Sequence, residues 1–369
     1  MRVAIVHDYL THFGGAERVL EALMELFPNA PVYTLVYNRN HLPPIFDERR
    51  IRTSWLQQIA AAREPHRYLP LALMPLAVEA FDLSGYDVVL SASHSFGKGV
   101  LVGPQTLHIS YCFTPTRYAW DDSHRYLREF SPHGLFRALV PAALSYVRLW
   151  DYYAAQRPHV YLTLSQYVAW RIRKYYGREA EVIPPPVDVD SFTVCHDNSG
   201  YYLVVSRLVP YKRIDLAIAA CERMERPLKI VGQGPEEASL RQLAGKWTSF
   251  LGFVPDEDLP KLYQGARALL FPQEEDFGIT PVEAAANGKP TIAFGAGGAT
   301  ETVRGGETGV LFERQDADSL MEAIRIFELQ RWDVRLIRRH AERFSRAVFL
   351  HKMETVVHNQ WDVFNRARK

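Results

Sequence analysis

The sequence predicts two α/β domains in tandem, each a doubly wound parallel sheet with helices on both faces. Three observations predict it. Short β-branched or apolar runs alternate with longer helical patterns. The runs are continuously apolar, as strands covered on both faces require. The rhythm also stops at Pro184-Pro185-Pro186 and an acidic, Ser-, Asn- and Gly-bearing stretch from Asp188 to Gly200, then restarts. Such a stretch reads as a linker, and 369 residues suit two domains of roughly 100–200 residues each.

In order, the first-half strands are Arg2–Val6, Pro31–Val36, Asp87–Ser91, Leu107–Tyr111, His159–Leu164 and Glu181–Ile183, with helices such as Ala16–Leu26 and Gln166–Tyr176 between them. After the linker come strands Tyr201–Ser206, Leu228–Val231, Thr248–Leu251, Ala268–Phe271, Thr291–Phe294 and Gly309–Phe312. The helices between them are Tyr211–Cys221, Glu236–Lys246, Asp256–Gln264 and Pro281–Asn287, and Asp316–Lys369 is helical. In such sheets ligands bind beyond the carboxyl ends of the strands, so each strand-to-helix loop is a candidate site.

Composition narrows the function classes. Lys and Arg number 43 against 42 Asp and Glu, a net charge of +1, which argues against a dedicated nucleic-acid binder. Cys112, Cys195 and Cys221 are scattered and odd in number, forming neither a disulfide framework nor a metal spacing, so a reducing, cytoplasmic setting is expected. The chain enters its first strand directly at Arg2, so no secretory leader is expected. The longest apolar stretch, Leu69–Val78, has ten residues, against about 20 for a bilayer span.

Several loops could carry chemistry. Gly14-Gly15 lies between the first strand and its helix, where glycines admit a ligand to the helix N-terminus or simply make a turn. No G-x-G-x-x-G string follows a strand, which weakens a dehydrogenase reading. Arg207 and Lys212 lie five residues apart on the loop after Tyr201–Ser206 and could clamp a diphosphate, Arg as a fork and Lys as a point charge. The densest cluster, Glu274 to Glu283, follows Ala268–Phe271. There Pro281 suits a first helical turn, Glu283 falls within that turn, and Gly278 and Ile279 present backbone N–H groups. Dipole compensation accounts for Glu283 and poorly for Glu275; carboxylates so placed also suit sugar hydroxyls. The three Asp-x-Asp pairs, Asp188/Asp190, Asp256/Asp258 and Asp316/Asp318, read as linker and helix caps, and no metal site is expected. Pro70–Val78 with Arg63 and Arg67, and Gly134–Trp150 with Arg137 and Arg148, combine apolar residues with cations. They read as core helices or as a membrane-facing surface.

The second half resembles the nucleotide-sugar domain of the retaining glycosyltransferases of family 4, of GT-B fold. The strings are Val204-Val-Ser-Arg-Leu-Val-Pro-Tyr-Lys212, Val231-Gly-Gln-Gly-Pro235, Phe250-Leu-Gly-Phe-Val-Pro255, Phe271-Pro272, Glu275 with Glu283, Ala284-Ala-Ala-Asn-Gly-Lys-Pro290, Gly297-Gly298 with Glu301, and Thr308-Gly309. In the first half, His108-Ile-Ser-Tyr-Cys-Phe-Thr-Pro-Thr-Arg-Tyr-Ala-Trp-Asp121 is similar to a string of bacterial mannosyltransferases that build O-antigens and exopolysaccharides. Gly14-Gly15-Ala-Glu17, Leu164-Ser165 and Val182-Ile-Pro-Pro-Pro-Val-Asp188 fit as well.

The resemblance implies two Rossmann-like domains facing a central cleft. Residues 1–186 would bind the acceptor, 187–345 the nucleotide sugar, and the helix 346–369 would return to the first domain. It implies that Arg207 and Lys212 hold the donor diphosphate, that Glu275 meets the sugar hydroxyls, and that Glu283 meets the ribose. Phe277, Gly278 and Ile279 would line the sugar and phosphates, Phe253 and Val254 the base, and Gly14 and Gly15 would face the donor. Arg207, Lys212 and Glu275 would be the catalytic set, acting without metal or other cofactor. Where the family has His before Thr-Pro, this chain has Phe113; His94 and His108 are then the candidates to cover a sugar hydroxyl, with Arg117 and Tyr118 beside them. The implied activity is retaining transfer of a hexose, mannose from GDP-mannose first, onto a saccharide or polyprenyl-linked saccharide in cell-surface polysaccharide synthesis. The enzyme would be cytoplasmic, peripheral on the inner face of the plasma membrane. A UDP-sugar 2-epimerase and a non-catalytic nucleotide-sugar-binding subunit are the alternatives.

Overall fold

A computed structural model describes residues 1–59, 68–121, 123, 136–195 and 199–368; Arg63, Arg67 and Gly134 lie outside them. Met1–Pro184 with Phe349–Lys369 form one compact unit and Pro185–Val348 a second.

In the first unit, β1 (Val3–Leu10), β2 (Val32–Tyr37), β3 (Ile51–Thr53), β4 (Val88–Ser93), β5 (Leu107–Cys112), β6 (Val160–Thr163) and β7 (Glu181–Val182) make one sheet in the order β3-β2-β1-β4-β5-β6-β7. Every pairing in it is parallel. β1 and β4 are buried along their whole lengths, which accounts for their apolar sequence. The three-residue β3 is too short to show in the sequence pattern. Helices α1 (Gly15–Leu26), α2 (Tyr68–Glu79), α3 (Phe136–Ala154) and α4 (Gln166–Tyr176) flank the sheet. α4 keeps the expected bounds because Ser165 caps it by accepting from the Val168 N–H, and Gly177 closes it at φ 66°.

Two stretches read as ambiguous resolve as helices that bury one face. α2 buries Leu71, Met74, Ala77 and Val78 and turns Leu76 outward; α3 buries Val140, Leu144, Val147 and Asp151. Pro75 and Pro141 sit inside them. The outer side of α3 exposes Tyr146, Leu149, Tyr152 and Tyr153.

The second unit pairs β10 (Thr248–Gly252), β9 (Leu228–Val231), β8 (Tyr201–Val205), β11 (Ala266–Phe271), β12 (Thr291–Phe294) and β13 (Gly309–Phe312) in that order. These pairings too are all parallel. Its helices are α5 (Ile214–Met224), α6 (Glu237–Leu243), α7 (Leu259–Gly265), α8 (Ile279–Ala286), α9 (Ala299–Thr302), α10 (Ala317–Leu329) and α11 (Val334–Glu342). Tyr211–Arg213 is not the start of α5: Pro210–Lys212 forms a 3₁₀ turn and Arg213 adopts φ 50° before the helix begins. The helical stretch Asp316–Lys369 resolves into α10, α11 and α12 (Arg346–Ala367). α12 lies largely in the first unit, where Phe349 meets the Tyr111 ring edge-on at 5.9 Å and Phe364 meets His159 at 5.1 Å.

The string Thr114–Asp121 is held by two buried charges. Lys98 Nζ lies 2.6 Å from Asp151 Oδ1, each side chain 1% exposed. Asp151 also accepts from Thr116 Oγ1 at 2.7 Å, Trp120 Nε1 at 2.8 Å and Tyr176 Oη at 2.8 Å. Buried Arg171 pairs with Asp121 and donates to Thr114 Oγ1 at 2.5 Å. Removing one member of a buried pair strands the other without water. Lys98→Ala should therefore cost about 3–5 kcal/mol of unfolding free energy in a denaturant titration, whereas a loss near that of an exposed pair, below about 1 kcal/mol, would contradict the assignment.

Candidate functional site

In the second unit the cationic loop follows β8. Exposed Arg207 donates to Tyr211 Oη at 3.4 Å. Lys212 lies 5.1 Å above the Tyr211 ring and forms an ion pair with Glu275, so Tyr211 links the two cations. Neighbouring Arg213 is committed elsewhere, to Asp215 at 3.1 Å. The loop is pinned from behind by backbone: Ser206 N–H donates to Val231 O at 3.0 Å, Leu208 N–H to Gln233 O at 3.0 Å, and Glu236 N–H to Leu208 O at 3.0 Å. Gly232, at φ 126°, makes this possible, since a Cβ there would collide with Ser206 O. The glycines after β9 thus serve to seat the cationic loop.

The acidic loop after β11 is held the same way. Gly298 N–H donates to Glu275 O at 2.8 Å, and a Cβ on Gly298 would collide with Phe277 Cα. Phe277 is buried and meets Phe344 edge-on at 5.5 Å. Gly278 caps α8, which starts at Ile279, so the first N–H groups of the helix face the loop. This start lies two residues before Pro281 and corrects the expectation for Glu283, which falls in the second turn. Glu283 is buried, and its Oε2 accepts from Tyr263 Oη at 2.7 Å. Dipole compensation in a first turn therefore does not explain it. Phe253 and Val254 follow β10, Phe253 being exposed. Glu301 lies in the first turn of α9. Among the Asp-x-Asp pairs, Asp316 caps α10 by accepting from Ser319 N–H, Asp258 stands at the start of α7 without a capping bond, and Asp188 and Asp190 are exposed. Among the described residues no group of three His, Cys, Asp or Glu is arranged to hold a metal.

The first unit carries a polar cluster near the carboxyl ends of β1 and β4, of which sequence reasoning missed His7 and Asp8. Gly14 caps α1, and Glu17 in the first turn folds inward to His7 Nε2 at 3.4 Å. His7 Nδ1 faces Ala92 O at 2.8 Å, so both ring nitrogens meet acceptors and the charged ring satisfies both. Burial opposes that charge, but Glu17 and Asp8 outweigh it and raise the His7 pKa. Glu17 and Asp8, although buried, are lowered by their histidine neighbours. The signal for this cluster was a His-Asp step inside an otherwise apolar strand.

Among the other expected residues, Phe113 is buried and meets the rings of His7 at 6.3 Å and Tyr111 at 5.5 Å, both edge-on. It packs inside the unit. His108 lies near the start of β5, fully buried, with Nε2 2.9 Å from Ser91 Oγ. Burial takes its pKa down to about 3. In an extended strand it lies roughly 16 Å from Phe113 at the opposite end of β5, so it is withdrawn as a sugar contact. Half-buried His94 stands at the carboxyl end of β4 and Tyr118 Oη lies 2.5 Å from Ser95 Oγ; Arg117 is half-buried in the same segment.

Residues 13–191 match the family model of Glycosyltransferase Family 4, and residues 193–347 that of Glycosyl transferases group 1. A GDP-mannose-dependent alpha-(1-6)-phosphatidylinositol monomannoside mannosyltransferase of Mycolicibacterium smegmatis is 31% identical over 44% of this chain and 50% of that protein. O-antigen chain mannosyltransferase B of Escherichia coli is 34% identical over 33% of this chain and 35% of its own. The chain thus spans half or less of the length of these two relatives. Among solved structures, Anabaena HepE in complex with UDP aligns over 97% of this chain and all of that one, at TM-score 0.69 and 18% identity. Sucrose-phosphate synthase from Thermosynechococcus elongatus aligns over 98% and 100%, at TM-score 0.72 and 18% identity. These likenesses show the GT-B fold.

The raised His7 pKa fixes a sign. A group that holds its proton more tightly when folded stabilises fully below its ordinary value, about 6.5, and that contribution is lost as pH rises through the folded value. The Tm deficit of His7→Gln against wild type should therefore be largest at pH 6 and shrink towards pH 9, and an equal deficit at both would show that the ring is not charged.

Proposed function

We propose that this chain, which belongs to glycosyltransferase family 4, transfers mannose from GDP-mannose to a saccharide hydroxyl, with retention and without a metal. The observation that carries this reading is the ion pair of Lys212 with Glu275 beside Arg207. It brings a phosphate-binding cation and a hydroxyl-binding carboxylate to one strand edge, next to the N-terminus of α8. The mannosyltransferase relatives support the donor assignment.

In this reading the acceptor oxygen bonds to the anomeric carbon as the anomeric bond to the diphosphate breaks, on one face of the ring. The departing phosphate oxygen takes the acceptor proton, so no separate base is needed. Negative charge grows on the diphosphate, and Arg207, Lys212 and the first N–H groups of α8 stabilise it where it develops. Two cations take the role a divalent ion would otherwise have. Donor binding draws Lys212 towards phosphate and releases Glu275 to the sugar hydroxyls, while Glu283, already oriented by Tyr263, accepts from the ribose. The acceptor is a saccharide, lipid-linked, taken on the cytoplasmic face of the membrane. No described helix is long and apolar enough to cross a membrane; the outward Tyr146, Leu149 and Tyr153 of α3 suit a surface contact instead.

Transfer from GDP-mannose to a mannose-containing acceptor, with the product's anomeric configuration read by NMR, tests the reaction. The product should be the α-mannoside and its rate unchanged in excess EDTA; a β-product, or activity lost in EDTA and restored by magnesium, would overturn the mechanism. GDP-mannose should also raise the melting temperature more than UDP-glucose, since a ligand at 100 times its Kd adds about 2.7 kcal/mol.

The two glutamates should separate. Glu283→Ala should weaken free GDP by roughly ten- to hundredfold, the worth of a charge-assisted hydrogen bond, whereas Glu275→Ala should spare GDP binding and slow transfer. Loss of GDP binding in Glu275→Ala would reverse the roles.

A further inference from the structure

Asp8 sits on β1, fully buried, and its two carboxylate oxygens are saturated by donors. Oδ1 accepts from the N–H of Phe96 at 2.8 Å and of Gly97 at 2.6 Å, and from Ser93 Oγ at 3.0 Å. Oδ2 accepts from the N–H of His94 at 2.7 Å and of Ser95 at 3.0 Å. A carboxyl group that accepts four backbone N–H bonds is held ionised, and an ionised carboxylate only accepts. His94 Nδ1 lies 3.0 Å from the same Oδ2, so Nδ1 carries the proton. Burial lowers the pKa of His94, opposed by Asp8 and reinforced by charged His7 and Lys98; Glu17 also acts on it from α1. The neutral ring then has its lone pair on Nε2. Among the described residues nothing hydrogen-bonds that nitrogen, and the side chain is 39% exposed.

The place matters as much as the chemistry. Ser93 pairs with Cys112 in register, and the Phe113 N–H donates to Ser93 O at 2.9 Å, so His94 and Phe113 stand side by side at the ends of β4 and β5. Phe113 is turned into the unit and offers no polar atom. His94 supplies one on the adjacent strand, with Tyr9 5.9 Å away and the Tyr118–Ser95 hydroxyl pair one residue on.

We propose that Asp8 and His94 form a fixed dyad whose outward Nε2 accepts a hydrogen bond from a hydroxyl of the acceptor saccharide at the strand ends of the first unit. His94 touches the sugar, and Asp8 is a positioning residue that sets the tautomer. The assignment deepens the glycosyltransferase reading and rests on it for the class of ligand.

The test uses the uniformly ¹⁵N-labelled full chain. Two-bond ¹H–¹⁵N spectra at pH 7 should show His94 protonated at Nδ1 and bare at Nε2; the Nε2–H tautomer or an imidazolium at that pH overturns the dyad. Addition of methyl α-mannoside, methyl α-glucoside and methyl α-galactoside in turn should shift the Nε2 resonance with at least one of them, and no shift with any overturns it. In the transfer assay, His94→Ala should raise the acceptor KM about two- to tenfold, the worth of a neutral hydrogen bond, and leave the GDP-mannose KM unchanged; His94→Gln, whose amide oxygen also accepts, should recover part of the loss. An unchanged acceptor KM in His94→Ala overturns the proposal. If wild type transfers nothing from GDP-mannose, the proposed function fails, while the tautomer and the glycoside shifts still decide the dyad.

Discussion

The candidate site of the second unit depends on backbone touching backbone. The peptide of Gly298 hydrogen-bonds to Glu275 O, and the turn after β9 hydrogen-bonds to the loop after β8; at Gly298 and Gly232 no side chain fits. Loops at the ends of parallel strands otherwise have only solvent to satisfy their peptides, and a solvated loop holds a side chain loosely. Here each functional loop leans on a second loop from the next strand. Main-chain packing therefore fixes the backbone from which Lys212 and Glu275 each project, and only their side chains rearrange when a ligand enters.

The first unit solves the same problem with carboxylates. Asp8 gathers the peptides that follow β4, and Asp151 gathers Lys98, Thr116, Trp120 and Tyr176. Each buried charge is stabilised by several donors, and each fixes a segment that follows a strand: Ser93–Gly97 in one case, the family-like Thr114–Asp121 in the other. Much of the Thr-Pro-Thr-Arg-Tyr-Ala-Trp string is thereby explained as anchoring. Thr116 and Trp120 bond to Asp151, Asp121 pairs with Arg171, and Tyr118 meets Ser95.

The parallel sheets were legible because strands buried on both faces leave continuous apolar runs, and four strands or helices, among them Leu228–Val231 and Gln166–Tyr176, keep their expected bounds. The loop cluster of Arg207, Lys212, Glu275 and Gly278 was legible because charge and glycine crowd at strand ends. The Asp8–His94 and Lys98–Asp151 pairs were not, since their partners lie 86 and 53 positions apart and a single charged residue in an apolar run carries no mark of what it will meet. α2 and α3 were obscured by Pro75 and Pro141, which packing overrides. The expected start of α8 at Pro281 falls two residues late, because a proline fits anywhere in a first turn, where no N–H is needed, and Gly278 has already ended the loop.

The central claim is that Arg207 and Lys212 hold the diphosphate of the donor. Calorimetric titration of GDP into wild type, Arg207→Ala and Lys212→Ala tests it most directly. Each variant should bind GDP about ten- to hundredfold more weakly, as loss of a charge-assisted bond implies, with the difference narrowing as salt screens the charges. GDP affinity equal to wild type in both variants would contradict it.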